Sequence, residues 1–145
     1  MMKLHFYFPI FLFLGLLSGV APVLACTVIH ESFVSKILTV DAAHPYLEKY
    51  LVILPEGYDP RRSYGTVYFL HGRDNSGKMV TDIGGCQQLD RLVAEKRNPF
   101  VIIAPDGGNS YFKNEAHGLR FADMFTQEVI AHAESKYSLI REGSA

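Results

Sequence analysis

Thr66-Val67-Tyr68-Phe69-Leu70-His71-Gly72-Arg73 and Phe100-Val101-Ile102-Ile103-Ala104-Pro105-Asp106-Gly107-Gly108 are the two stretches that decide the fold of this chain. Each is an almost unbroken apolar run that gives way abruptly to glycine and polar side chains. Such a run predicts a strand covered on both faces inside a mixed or parallel sheet, since a half-solvated strand would alternate. Between the two, Leu89, Leu92 and Val93 stand at i, i+3 and i+4, which gives a helix over 89–96 one apolar face. Strand, loop, helix, strand is a βαβ unit, whose crossover is nearly always right-handed. Farther on, Phe121, Phe125 and Val129 recur every four residues, with Met124 widening the stripe, and predict a second amphipathic helix over 121–136. The alternation argues for an α/β fold, a mixed, mostly parallel sheet flanked by helices. With no strand expected after that last helix, the repeat is left unclosed.

Upstream, residues 33–40 mix alternation with β-branched side chains and predict a half-exposed strand. Tyr50-Leu51-Val52-Ile53-Leu54 predicts its neighbour, the two lying near one sheet edge. Pro55-Glu56-Gly57-Tyr58-Asp59-Pro60 forces a loop. With 14 Lys and Arg against 15 Asp and Glu, the chain has no basic excess to suggest a nucleic-acid partner.

The N-terminus follows the pattern of an export signal. Met1-Met2-Lys3 is a short positive start, an apolar run fills 6–17, and Val23-Leu24-Ala25 ends in a small residue before Cys26. The run is short for a membrane span. Removing residues 1–25 leaves 120, enough for one modest domain over 26–145. Val23-Leu24-Ala25-Cys26 also resembles a bacterial lipobox, in which the cysteine is lipidated and holds the protein at a membrane surface. Without lipidation, Cys26 is either a plain thiol or the partner of Cys86, the other cysteine, in an oxidising compartment. Geometry decides between these, and sequence leaves them open.

In open α/β sheets ligands bind beyond the carboxyl ends of the strands. Two loops hold that position here, one over residues 71–77 and one over residues 105–110. Three landmarks recur in order: Leu54-Pro55-Glu56-Gly57-Tyr58, Val67-Tyr68-Phe69-Leu70-His71-Gly72, and Ala104-Pro105-Asp106-Gly107-Gly108-Asn109-Ser110. Together they resemble the putative-esterase family of α/β-hydrolases, related to esterase D, which includes S-formylglutathione hydrolases, feruloyl and acetyl-xylan esterases and mycolyltransferases. The likeness covers residues 36–139 and corresponds to the N-terminal part of the family's domain.

That resemblance implies acyl transfer by a serine nucleophile, a histidine base and an acid, with no metal or organic cofactor. It implies a small-molecule or polysaccharide-linked ester as substrate. It also implies that His71-Gly72-Arg73 is the oxyanion-hole loop, with the backbone N–H of Arg73 as donor and Gly72 allowing close approach. Asp106, Gly107, Gly108, Asn109 and Ser110 form a candidate substrate loop, in which Asp106 is expected to brace its own Gly107-Gly108 turn and Ser110 to cap a turn or meet substrate. His71 is expected to brace its loop, His117 to be exposed and His132 to be solvated. No G-x-S-x-G occurs in the 145 residues, so no catalytic triad residue is assigned and the triad is expected beyond Ala145. The expectation is an exported ester hydrolase, inactive as this chain alone; the alternative is a non-catalytic exported lipoprotein or binding module that keeps an esterase-like half-domain.

Overall fold

The computed structural model describes residues 26–141. Residues 1–25, expected from their sequence to be an export signal, lie outside the described residues. The chain runs β1 (Thr27–Ser35), β2 (Tyr46–Leu54), β3 (Gly65–Tyr68), α1 (Met79–Asp82), α2 (Gly85–Ala94) and β4 (Phe100–Pro105). A continuous helix follows, made of α3 (Phe121–Asp123), a π segment (Met124–Val129) and α4 (Ile130–Lys136). The four strands form one mixed sheet in the order β1-β2-β4-β3. β2 is antiparallel to both neighbours, and β3 is parallel to β4, as a βαβ unit requires.

Helices cover both faces of the centre of this sheet. Tyr50, Val52, Leu54, Val101 and Ile103 pack against Phe121, Met124, Val129 and Ala133 on one side. Leu51, Ile53, Ile102 and Ala104 pack against Val80, Cys86 and Leu89 on the other. Consecutive strand residues point to opposite faces, so both parities of β2 and β4 must be apolar. The four-residue spacing on the last helix has a physical counterpart. On a helix of 3.6 residues per turn such a stripe drifts by about 40° per step, and the wider π turn takes that drift back, keeping Phe121, Val129 and Ala133 against the sheet.

Two expectations are corrected. The first strand spans Thr27–Ser35 and not 33–40. Glu128 of the π segment explains its end: the carboxylate accepts the N–H groups of Lys36 (2.8 Å) and Ile37 (3.3 Å) and the Ser35 hydroxyl, withdrawing those groups from the ladder. β3 is not covered on both faces. It is the edge strand, and Val67 and, just past its end, Leu70 are 42% and 44% exposed. Among the described residues no strand follows α4, as expected, though the chain there touches the sheet through an isolated bridge: Leu139 pairs with Tyr64 in parallel, with Tyr64 N–H donating to Ser138 and Ile140 N–H to Tyr64.

The two cysteines meet. Cys26, just before β1, is bonded to Cys86 in the first turn of α2, with Cα atoms 5.6 Å apart, an ordinary disulfide separation. Among the described residues no helix is long and apolar enough to cross a membrane.

Candidate functional site

The parallel strands β3 and β4 both end at one rim of the sheet, and the two candidate loops meet there. Three bonds tie them together. The His71 ring, 5% exposed, places Nε2 2.5 Å from the carbonyl oxygen of Asp106 and Nδ1 2.6 Å from that of Gly72. Asp74 N–H donates to Asn109 Oδ1 (3.0 Å), and Gly77 N–H to Asp106 Oδ1 (3.1 Å). The Phe112 ring closes edge-on against His71, their centroids 5.4 Å apart. His71 therefore braces its loop.

The Asp106–Ser110 loop turns sharply through Gly107 and Gly108, at φ +48° and +51°, a conformation that costs glycine little. At Gly107 a Cβ would also strike the Phe112 ring. Ser110 caps this turn, its hydroxyl donating to Gly107 O (2.6 Å) and accepting Phe112 N–H (3.0 Å). Asp106 does not brace its own turn, contrary to expectation; its carboxylate reaches across to Gly77. The group that holds the turn is Glu48 of β2, whose Oε1 accepts the N–H groups of Gly107 (3.0 Å) and Asp106 (3.2 Å).

Glu48 is the residue of this loop cluster that the sequence reading missed. The signal was available in Tyr46, Glu48, Tyr50, Val52 and Leu54, which alternate along one face of β2 with a carboxyl among apolar and aromatic groups. Burial pushes that carboxyl up from its ordinary 4.5 to about 7, while its N–H donors and the nearby His71 draw it back down. A carboxyl raised on folding binds more protons in the native than in the unfolded state as pH climbs between the two values. Stability therefore falls from about pH 4.5 to about pH 7, by on the order of 3 kcal/mol, and is level above that range. Urea titrations of Glu48→Gln across this range are expected to lack that slope; an unchanged slope would assign it elsewhere.

His117 is exposed, as expected. His132 is not a solvated residue: it is partly buried beside Phe33, and its Nδ1 lies 2.8 Å from the Tyr50 hydroxyl. Burial lowers its pKa first of all, helped by the Lys136 charge. It lies on the helix face of the sheet core and is not in the loop cluster.

A cavity of about 390 Å³ opens between β1, β2 and residues 76–78, with His30, Ser32, Lys49, Lys78 and Asp106 among its lining. It shares Asp106 and Gly77 with the loop cluster, but His71, Gly72 and Arg73 do not line it. Among the described residues no three His, Cys, Asp or Glu side chains are grouped to hold a metal.

Comparison with known proteins gives a consistent result. The family described as putative esterase matches residues 48–138. Over 98 residues the chain is 32% identical to endo-1,4-beta-xylanase Y of Acetivibrio thermocellus, covering 64% of this chain and 8% of that protein. A solved ferulic acid esterase superposes with a TM-score of 0.68 at 23% identity, over 79% of this chain and 45% of its own. A feruloyl esterase module from Clostridium thermocellum, complexed with sinapinate, superposes with a TM-score of 0.63 at 21% identity, over 84% and 40%. The chain thus spans less than half the length of these solved esterases.

Proposed function

Because the chain belongs to the putative-esterase family, we propose that it is the N-terminal part of an exported carboxylic-ester hydrolase working by serine acyl transfer. The observation that carries this reading is the His71-Gly72-Arg73 turn. Among the described residues the backbone N–H groups of Gly72 and Arg73 meet no acceptor, whereas the next one, of Asp74, is held by Asn109. Gly72 is exposed, does not take a left-handed φ, and a Cβ there would meet nothing within 4 Å. Neither packing nor backbone conformation accounts for a glycine at that position. Room for a reacting group does.

A tetrahedral intermediate places negative charge on what was a carbonyl oxygen, and preorganised N–H donors lower its energy. In this reading the Arg73 N–H is one donor, and the N–H after the nucleophile is the other. Asp106–Ser110 lines the same rim and contacts the acyl or alcohol part. The feruloyl esterase module captured with sinapinate makes aromatic acyl esters, free or attached to polysaccharide, the first substrate class to test. Serine acyl transfer requires no metal or organic cofactor.

Residues 1–25 are the export signal and 26–145 the hydrolase portion. The Cys26–Cys86 disulfide supports export, because such bonds persist in oxidising compartments. A sulfur held in that bond carries no lipid, so attachment to a membrane surface through Cys26 is no part of this reading.

With no G-x-S-x-G in its 145 residues, the chain alone is expected to form no acyl-enzyme. Intact-mass measurement after incubation with p-nitrophenyl ferulate checks this, and a covalent acyl adduct would overturn it. Reading the coding DNA past codon 145 tests the family activity itself. A frame that runs on into a strand and G-x-S-x-G is the expected result. Its absence from every frame would leave a non-catalytic binding module.

A further inference from the structure

The two candidate loops are joined by a chain of hydrogen bonds that passes through two whole peptide groups. Glu48, 1% exposed on β2, accepts the N–H of Gly107 at 3.0 Å. The carbonyl of that same peptide, on Asp106, faces His71 Nε2 at 2.5 Å. The other ring nitrogen, Nδ1, faces the Gly72 carbonyl at 2.6 Å. The N–H of that second peptide belongs to Arg73 and meets no acceptor among the described residues.

Carbonyl oxygens only accept hydrogen bonds, so a relay through this ring needs a ring N–H toward each of them. A ring N–H at the carbonyl end of the Asp106–Gly107 peptide and the Glu48 carboxyl oxygen at its N–H end both follow the peptide dipole. Bonds linked in series through peptide groups polarise one another. A ring N–H on the Gly72 carbonyl draws it inward and thereby turns the Arg73 N–H outward as a stronger donor.

We propose that Glu48 and His71 are a positioning pair that clamps the Asp106–Gly107 peptide, fixes the two loops to each other, and aims and polarises the Arg73 N–H. The titratable groups facing the pair are Tyr46 on β2 and the carboxyl of Asp106 in the adjoining loop. Burial raises Tyr46 further, so it stays neutral, and Asp106 is engaged with Gly77. Burial also places the Glu48 carboxyl at about 7, so the clamp changes charge in the neutral range. The bearing of this pair on catalysis rests on Arg73 being an oxyanion donor; the clamp itself does not.

The test follows the amide resonances of Gly107 and Arg73 in the full 15N-labelled chain from about pH 5.5 to about pH 8.5, a span that brackets the neutral range. In the native sequence both are expected to titrate with one shared midpoint. In Glu48→Gln, which keeps an acceptor oxygen and removes the charge, both titrations are expected to vanish from an otherwise native spectrum. In His71→Phe, which keeps a ring against Phe112, Gly107 is expected to go on titrating while Arg73 stops following it. A Gly107 amide that does not titrate, or an Arg73 amide that still follows it without His71, would overturn the proposal. Should His71→Phe not fold, the ring nitrogens of His71 decide in the native protein: both must show shifts of protonated nitrogen, and one unprotonated nitrogen overturns the pair. Failure of these titrations leaves the acyl-transfer reading standing, and failure of that reading leaves the titrations unchanged.

Discussion

Reducing the Cys26–Cys86 bond, or replacing both cysteines with alanine, is expected to lower the unfolding free energy by about 4 kcal/mol. The bond joins positions 60 residues apart, a separation that contains all of β1, β2 and β3. An unfolded chain freed of so long a loop gains much of the entropy that the cross-link removed. For a chain of this size the loss corresponds to roughly 15 °C in the midpoint of thermal unfolding. Cys86 is 4% exposed and packs with Leu89, Val80 and Ile53, so alanine also leaves a small cavity. Thermal melts with and without reductant provide the measurement. A midpoint unmoved by reduction would mean that the bond is not formed in the folded protein, and a lipid found on Cys26 by intact mass would show why.

Gly77→Ala is expected to destabilise the protein by about 3 kcal/mol and to release the two candidate loops from each other. A Cβ at Gly77 would lie 2.2 Å from the carbonyl oxygen of Ala104, next to the last residue of β4. That atom is backbone of a buried residue and cannot move aside as a flexible side chain would. The displaced segment would also lose the Gly77 N–H bond to Asp106. Gly72→Ala is the matched comparison: it meets nothing within 4 Å and is expected to stay within about 0.5 kcal/mol. Urea denaturation of both variants separates the cases. Equal stabilities would mean that the 71–77 loop does not hold this close approach to β4.

Much of the architecture was legible before any coordinates. Apolar runs at 66–70 and 100–104 with an amphipathic stretch between them predicted a parallel pair with a crossover, and β3 and β4 form it. The final helix was read from the spacing of Phe121, Phe125 and Val129, though not its π turn, which depends on keeping that stripe against the sheet. The extent of β1 was misjudged because the group that ends it, Glu128, lies 93 residues from Ser35. Exposure of β3 was equally invisible, since apolar composition states what a strand could bury and not which neighbours are there to cover it.

What the residues alone determined is periodicity: the order of strands and helices and the glycine-rich turns at strand ends. Each of these depends on residues a few positions apart, whose relation is set by 3.6 or 2 residues per repeat. Only the tertiary structure decided that Cys26 meets Cys86, that Asp106 serves Gly77, and that Glu48 lies under a turn 59 residues away. Those partners are chosen by strand register and by the need of each buried N–H and carboxyl for a hydrogen bond, and such a need can be met from any distance along the chain.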